Sequence, residues 1–185
     1  MTPSGPGPHR VVVVRHAPAE HRDPRRWRDD DQRPLRSEGR EEFRAAARAL
    51  AQLLSTRGRV AVSPLARALE TAELLGVAWG PARRAEVWEE LRPSGAAVRL
   101  LERIAATSGP RGDYVIVGHE PQLSRLVGLA TTGEAIPVVQ FSKGGAVALD
   151  FAERLVPGGA RIGWALTRSQ LRRFHPGRGA RRSEG

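Results

Sequence analysis

The sequence predicts one α/β domain: a three-layer α/β/α sandwich around a mostly parallel sheet. Three observations point there. Four valines stand in a row at 11–14, a run apolar enough to be covered on both faces. Short β-branched runs then alternate with longer stretches whose apolar residues repeat at helical spacing. Finally, the chain has 185 residues and no internal repeat, which suits one core and not two.

Taken in order, RVVVV at 10–14 reads as the first strand, and a polar loop follows as far as Ser37. Ser37 is placed to cap a helix whose stripe is Phe43, Ala46, Ala47, Leu50, Leu53 and Leu54, with Gly58 ending it. RVAV at 59–62 is a second strand. In SPLARALETAELLG, Ser63 reads as a cap and Pro64 as part of the first turn, with Leu65, Ala68, Leu69, Ala72 and Leu75 as the buried stripe. AEVW at 85–88 is a short third strand, and 94–106 a helix. DYVIVGHEPQLSRL supplies a fourth strand at 114–117 and a helix beginning near Pro121. GAVALDF and ARIGWALT close the fold as an antiparallel pair at one edge, because no helix separates them. The domain is expected to span 10–174, with a flexible start at 1–9 and a disordered Arg/Gly-rich tail at 175–185.

Composition narrows the function classes. Cysteine is absent, which rules out disulfides and thiolate metal sites. The opening MTPSGPGPHR lacks the apolar core of a signal peptide, and no run reaches the length of a membrane span, so a cytoplasmic protein without membrane contact is expected. The net charge of +10 suggests nucleic acid at first sight. Lys143 is the only lysine among the 30 basic residues, however, and arginine abounds beside Ala, Gly and Pro, the pattern of GC-rich codon usage. The charge is therefore not read as a nucleic-acid footprint.

The unusual residues sit at equivalent places. Arg15 and His16 follow the first strand, Arg67 lies in the first turn after the second, Glu90 follows the third, and His119 follows the fourth. In an open α/β sheet these carboxyl ends line the ligand crevice. Two arginines and two histidines there suit a tetrahedral anion. Arg67 opposes its helix dipole, a penalty that a bound anion reverses. A metal fits poorly, because the arginines repel a divalent cation and no carboxylate cluster accompanies the histidines. Asp29, Asp30 and Asp31 neighbour Arg25, Arg26, Arg28 and Arg33 and read as ion-paired or substrate-facing. Trp27 either covers the pocket rim or anchors its loop, and Trp79, Trp88 and Trp164 read as packing residues.

RHA at 15–17, SPLARALETA at 63–72 and GHEP at 118–121 resemble the signature blocks of the histidine phosphatase superfamily, with its phosphoglycerate mutase-like fold. RPL followed by Gly39, and FSKGGAVAL, resemble more narrowly the SixA-type phosphohistidine phosphatases. Many members have RHG where this chain has Ala17, a residue still small enough for close approach. The resemblance implies His16 as a nucleophile forming a phosphohistidine intermediate, and Arg15, Arg67 and His119 as the grip on the phosphoryl oxygens. Glu90, with Glu89 second, is the candidate general acid. No metal or cofactor is implied. The expected substrate is a phosphorylated histidine in a phosphotransfer protein. The alternatives are a small phosphorylated metabolite or nucleotide, or a non-catalytic basic binding module on the same fold.

Overall fold

The alternation of the four valines decides the architecture. They form the middle of β1 (His9–Arg15). Val11 and Val13 pack with the helices α3 (Ala97–Thr107) and α4 (Gln122–Thr132). Val12 and Val14 face the opposite side, with α1 (Ser37–Leu53), α2 (Ala66–Trp79) and the short α5 (Arg168–Arg173). Successive side chains on a strand point to opposite faces, so a strand covered on both must be apolar throughout. The structure, a computed structural model, describes residues 9–54, 58–80, 85–107 and 113–174. Apart from His9, which opens β1, the expected flexible start lies outside the described residues, as does the whole tail at 175–185.

The other strands are β2 (Gly58–Val62), β3 (Glu86–Val87), β4 (Asp113–Gly118), β5 (Ala146–Phe151) and β6 (Ala160–Leu166). The sheet order is β3-β2-β4-β1-β5-β6. The first four in that order run parallel, while β5 is antiparallel to β1 and β6 to β5. Register then builds one functional edge. Arg15 pairs with Gly118 and Val62 with Val117, so the residues that follow, His16, His119 and Ser63, emerge side by side. Because β5 runs the other way, its start meets the same edge, with Val14 opposite Ala146. Among the described residues, no helix is long and apolar enough to cross a membrane.

Several local expectations are corrected. Ser37 does not cap α1; Arg36 holds that position without a side-chain cap. Tertiary bonds set the entry instead: Leu35 N–H donates to the Glu70 carboxylate at 2.8 Å and Arg36 N–H to the Pro18 carbonyl at 3.2 Å. Gly58 does not end that helix but begins β2, where a Cβ would collide with the Trp79 ring and the Asp113 carbonyl. Ser63 and Pro64 precede α2, whose N-cap position is Leu65 and lacks a side-chain cap. β3 is only Glu86–Val87, and α3 starts at Ala97, later than its apolar spacing suggested. The helix α5 was not anticipated. A capping box of Thr167 and Gln170 nucleates it, and Arg168 and Arg172 tie it to Glu42 on α1 at 3.0 and 3.5 Å.

Candidate active site

His16 and His119 are both buried, with ring centroids 5.0 Å apart and planes tilted by 49°. Their loops are joined by the main chain, since His16 N–H donates to the Gly118 carbonyl at 3.0 Å. His16 Nδ1 lies 2.7 Å from the carbonyl of Ala17. A carbonyl only accepts, so this contact assigns the hydrogen to Nδ1 and leaves the Nε2 lone pair free. Burial, joined by the charges of Arg67, Arg15 and Lys143 and opposed by the Ala17 hydrogen bond, lowers the His16 pKa to about 3. The imidazole is therefore neutral at neutral pH, with a nucleophilic nitrogen fixed in direction.

His119 Nε2 and Ser63 Oγ are 2.8 Å apart. Burial first, then His16, Arg67, Arg15 and Arg33, lower the His119 pKa to about 2. The Ser63 hydroxyl can donate to Nε2 and so keep the hydrogen on Nδ1, which is buried and has no partner among the described residues.

Arg67 is 4% exposed in the first turn of α2. Its Nη1 donates to the Asp30 carbonyl at 2.9 Å, and its Nη2 stands 3.3 Å from the Asp30 carboxylate. Arg15 Nη1 donates to the Phe141 carbonyl at 2.7 Å. Burial lowers the pKa of both guanidinium groups from the usual arginine value. Each keeps a buried Nε without a partner among the described residues. Buried polar atoms are rarely left unpaired, so Arg15 Nε, Arg67 Nε and His119 Nδ1 form a donor set that fits an anion with several acceptor oxygens.

The surrounding elements hold this set rigidly. Thr71, one turn after Arg67, donates its hydroxyl to the Arg67 carbonyl at 2.7 Å and accepts from Ala17 N–H at 3.0 Å. On the other side, Gly144 N–H donates to the carbonyls of Arg15 and His16 at 3.1 and 3.0 Å, and Arg15 N–H to the Gly145 carbonyl at 3.1 Å. Gly144 has φ +77°, a left-handed conformation natural to glycine, and a Cβ there would press on Phe43 and Arg168.

Comparisons with known proteins identify relatives of this chain. The sequence profile of the histidine phosphatase superfamily (branch 1) matches residues 11–94. An uncharacterized protein of Picosynechococcus is 32% identical over 127 residues, which cover 66% of this chain and 74% of that one. The chain belongs to the histidine phosphatase superfamily. Within it, the protein histidine phosphatase SixA, solved with tungstate, aligns at a TM-score of 0.75 and 27% identity, covering 88% of this chain and 99% of that one. A mycobacterial glucosyl-3-phosphoglycerate phosphatase shares the fold at a TM-score of 0.66 and 17% identity, over 86% and 99% of the two chains. Family and fold together support phosphatase activity in this histidine phosphatase.

The candidate acid behaves differently from the other four residues. Both Glu90 oxygens are held by Arg103 Nη1, at 2.6 and 2.8 Å, and that bond holds the carboxyl below the usual carboxylate range. Arg103 in turn stacks over Trp88, 4.6 Å from the ring centre. Glu90 thus ties the β3–α3 turn to α3, and no hydrogen bond or ion pair joins it to His16, His119, Arg15 or Arg67. Glu89 is mostly exposed and paired with Arg92 at 2.5 Å.

Sequence reasoning missed Ser63, Thr71 and Arg33 as parts of this candidate site, and gave Asp30 only as ion-paired or substrate-facing. Ser63 and Thr71 stood inside SPLARALETA, but read as a cap and a helix residue. Asp30 bridges Arg33 at 2.8 Å, Arg67 at 3.3 Å and Arg22 at 3.7 Å, and its carboxyl is held down mainly by Arg33. Asp29 accepts from Asp31 N–H at 2.9 Å, and Asp31 pairs with Arg92 at 2.5 Å. Asp30 and Asp31 are therefore ion-paired, Asp30 to the neighbouring Arg33 and Asp31 to the distant Arg92, while Asp29 accepts a backbone N–H. Trp27 is half-buried under Arg26, whose guanidinium lies 5.0 Å from its ring centre.

Proposed function

We propose that this histidine phosphatase dephosphorylates phosphohistidine in a phosphotransfer protein, with His16 as the nucleophile. The observation that carries the reading is the neutral, buried His16, its Nδ1 facing the Ala17 carbonyl, beside cationic groups whose donors lack partners. Nε2 of His16 attacks phosphorus as the P–N bond to the substrate imidazole breaks. That imidazole keeps the bonding pair and takes a proton from water. Arg15, Arg67 and His119 hold the equatorial oxygens while charge redistributes. Water then attacks phosphorus of the phosphorylated His16, the second P–N bond breaks, and inorganic phosphate leaves with His16 restored.

The substrate class follows from the leaving group. An alkyl ester needs a proton donor at the leaving oxygen, whereas an imidazole leaves readily. Glu90, ionised against Arg103, is not poised to donate, and this supports a P–N over a P–O substrate. The test is trapping: a radiolabelled phosphohistidine protein is mixed briefly with wild type and with His16→Ala. Acid-labile label on the wild type only, together with released phosphate, is the expected result. Label and turnover from a small phosphate ester but none from phosphohistidine would move the substrate to a metabolite or nucleotide. No labelling by either would leave a binding module.

A further inference from the structure

Beside the phosphoryl site lies a cavity of about 500 Å³, the size of a small-ligand pocket. One wall is the loop that continues from His16 through Pro18 to Arg22; the other is Ser142 and Lys143, just before Gly144, whose amide bonds to the Arg15 and His16 carbonyls. Five cationic side chains line it, Arg22, Arg33, Arg36, Lys143 and Arg168, against one carboxylate, Glu20.

Internal pairing does not neutralise this charge. Asp30 serves Arg33 and Arg22, and Glu42 serves Arg168. Glu20 reaches Arg26 at 3.4 Å, outside the lining. Among the described residues no carboxylate pairs with Arg36 or Lys143, and Arg36 Nε and Arg168 Nε are buried without partners. Like charges held together in a concave site repel one another unless an anion enters. Burial, reinforced by Arg15, Arg33, Arg36 and Arg168, lowers the Lys143 pKa, which reports the same crowding of charge.

We propose that this cavity is a second anion subsite, which receives a second anionic group of the substrate while the phosphoryl group sits on His16, Arg15, Arg67 and His119. The identity of that group rests on the phosphohistidine reading: it is a carboxylate side chain next to the phosphohistidine of the partner protein. The subsite would then select partners whose phosphorylated histidine lies in an acidic patch, and the open flank of the cavity admits a protein surface. On a small substrate the same chemistry would hold a second phosphate or a carboxylate.

The experiment has a binding arm and a kinetic arm, both on the full chain. Sulfate is titrated calorimetrically into wild type, Arg67→Ala and the double variant Arg36→Gln/Lys143→Gln. Wild type is expected to bind two sulfates, and each variant to keep one. In the kinetic arm, a phosphohistidine peptide flanked by glutamates, the same peptide flanked by alanines, and p-nitrophenyl phosphate are compared. The double variant should raise KM for the acidic peptide roughly tenfold with kcat unchanged, and leave both other substrates within about twofold. A rise in KM confined to a bisphosphorylated ester assayed alongside them would keep the subsite and move its anion to a small molecule. Two sulfates on the double variant, or equal losses on all substrates, would overturn the proposal. If neither peptide is turned over but the double variant still loses one sulfate, the phosphohistidine reading fails and the subsite stands. The single variants Arg36→Gln and Lys143→Gln cover the case in which the double variant does not fold.

Discussion

Folding should become steadily less favourable as pH falls from 7 to 5, because of the two buried histidines. His16 titrates at about 3 in the folded chain against 6.5 when exposed, and His119 at about 2. Between these values the unfolded chain binds protons that the folded chain refuses, so acid favours unfolding. A depressed histidine of this kind contributes nothing above its unfolded pKa and destabilises progressively below it. From pH 7 to 5 the linkage relation gives about 2 kcal/mol for His16 and a similar amount for His119. Ordinary carboxylates titrate below most of this window, so histidine dominates it. The assay is urea unfolding at half-unit steps of pH for wild type, His16→Gln and His119→Gln. Each variant should be flatter than wild type by about 2 kcal/mol over the range, whatever its absolute stability. Saturating sulfate should flatten the wild type as well, because an anion between Arg15 and Arg67 favours the protonated rings. Parallel curves for all three proteins would refute the reasoning, and with it the claim that His16 is kept neutral by its surroundings.

Two further outcomes follow from the geometry. Glu90→Gln should leave phosphohistidine hydrolysis within about twofold and lower stability by less than about 1 kcal/mol, since the pair with Arg103 is partly exposed; a loss of about a hundredfold on esters in steady-state assays would make Glu90 the acid after all. Thr71→Val should cost about 1–3 kcal/mol by leaving the Ala17 amide unsatisfied, and should lower kcat more than it raises KM. Urea midpoints and steady-state kinetics on the same samples check both parts.

Local chemistry was sufficient for much of this. A run of four valines can only be comfortable between two covered faces, so VVVV predicted a buried strand, and both its faces are covered. Arg15, His16, Arg67 and His119 could be singled out because each stood just after a strand or in the first turn of the helix that follows one, and parallel strands bring such positions to one edge. The sheet register does so, with Arg15 opposite Gly118 and Val62 opposite Val117. Glu90 satisfied the same rule of position and still turned elsewhere, because Arg103, thirteen residues on, offered one Nη1 to both carboxylate oxygens, a pairing that spacing along the chain did not reveal.

What only the tertiary structure decided concerns groups whose choice of partner is made across the fold. Ser63 had a local use as a cap and instead faces His119, 56 residues away. Asp30 had several arginines nearby in sequence, yet also bridges to Arg67, 37 residues on, through both its carbonyl and its carboxylate. Lys143 joins Arg36 and Arg168 around one cavity although no motif links them. The pKa of His16 is largely of the same kind, since burial dominates it and Arg67 and Lys143, distant in sequence, add to the adjacent Arg15 charge, against the local Ala17 hydrogen bond. Strand and helix patterning is a local property and is written in the sequence. Desolvation and charge pairing depend on what arrives from elsewhere, and become definite only when the chain has closed.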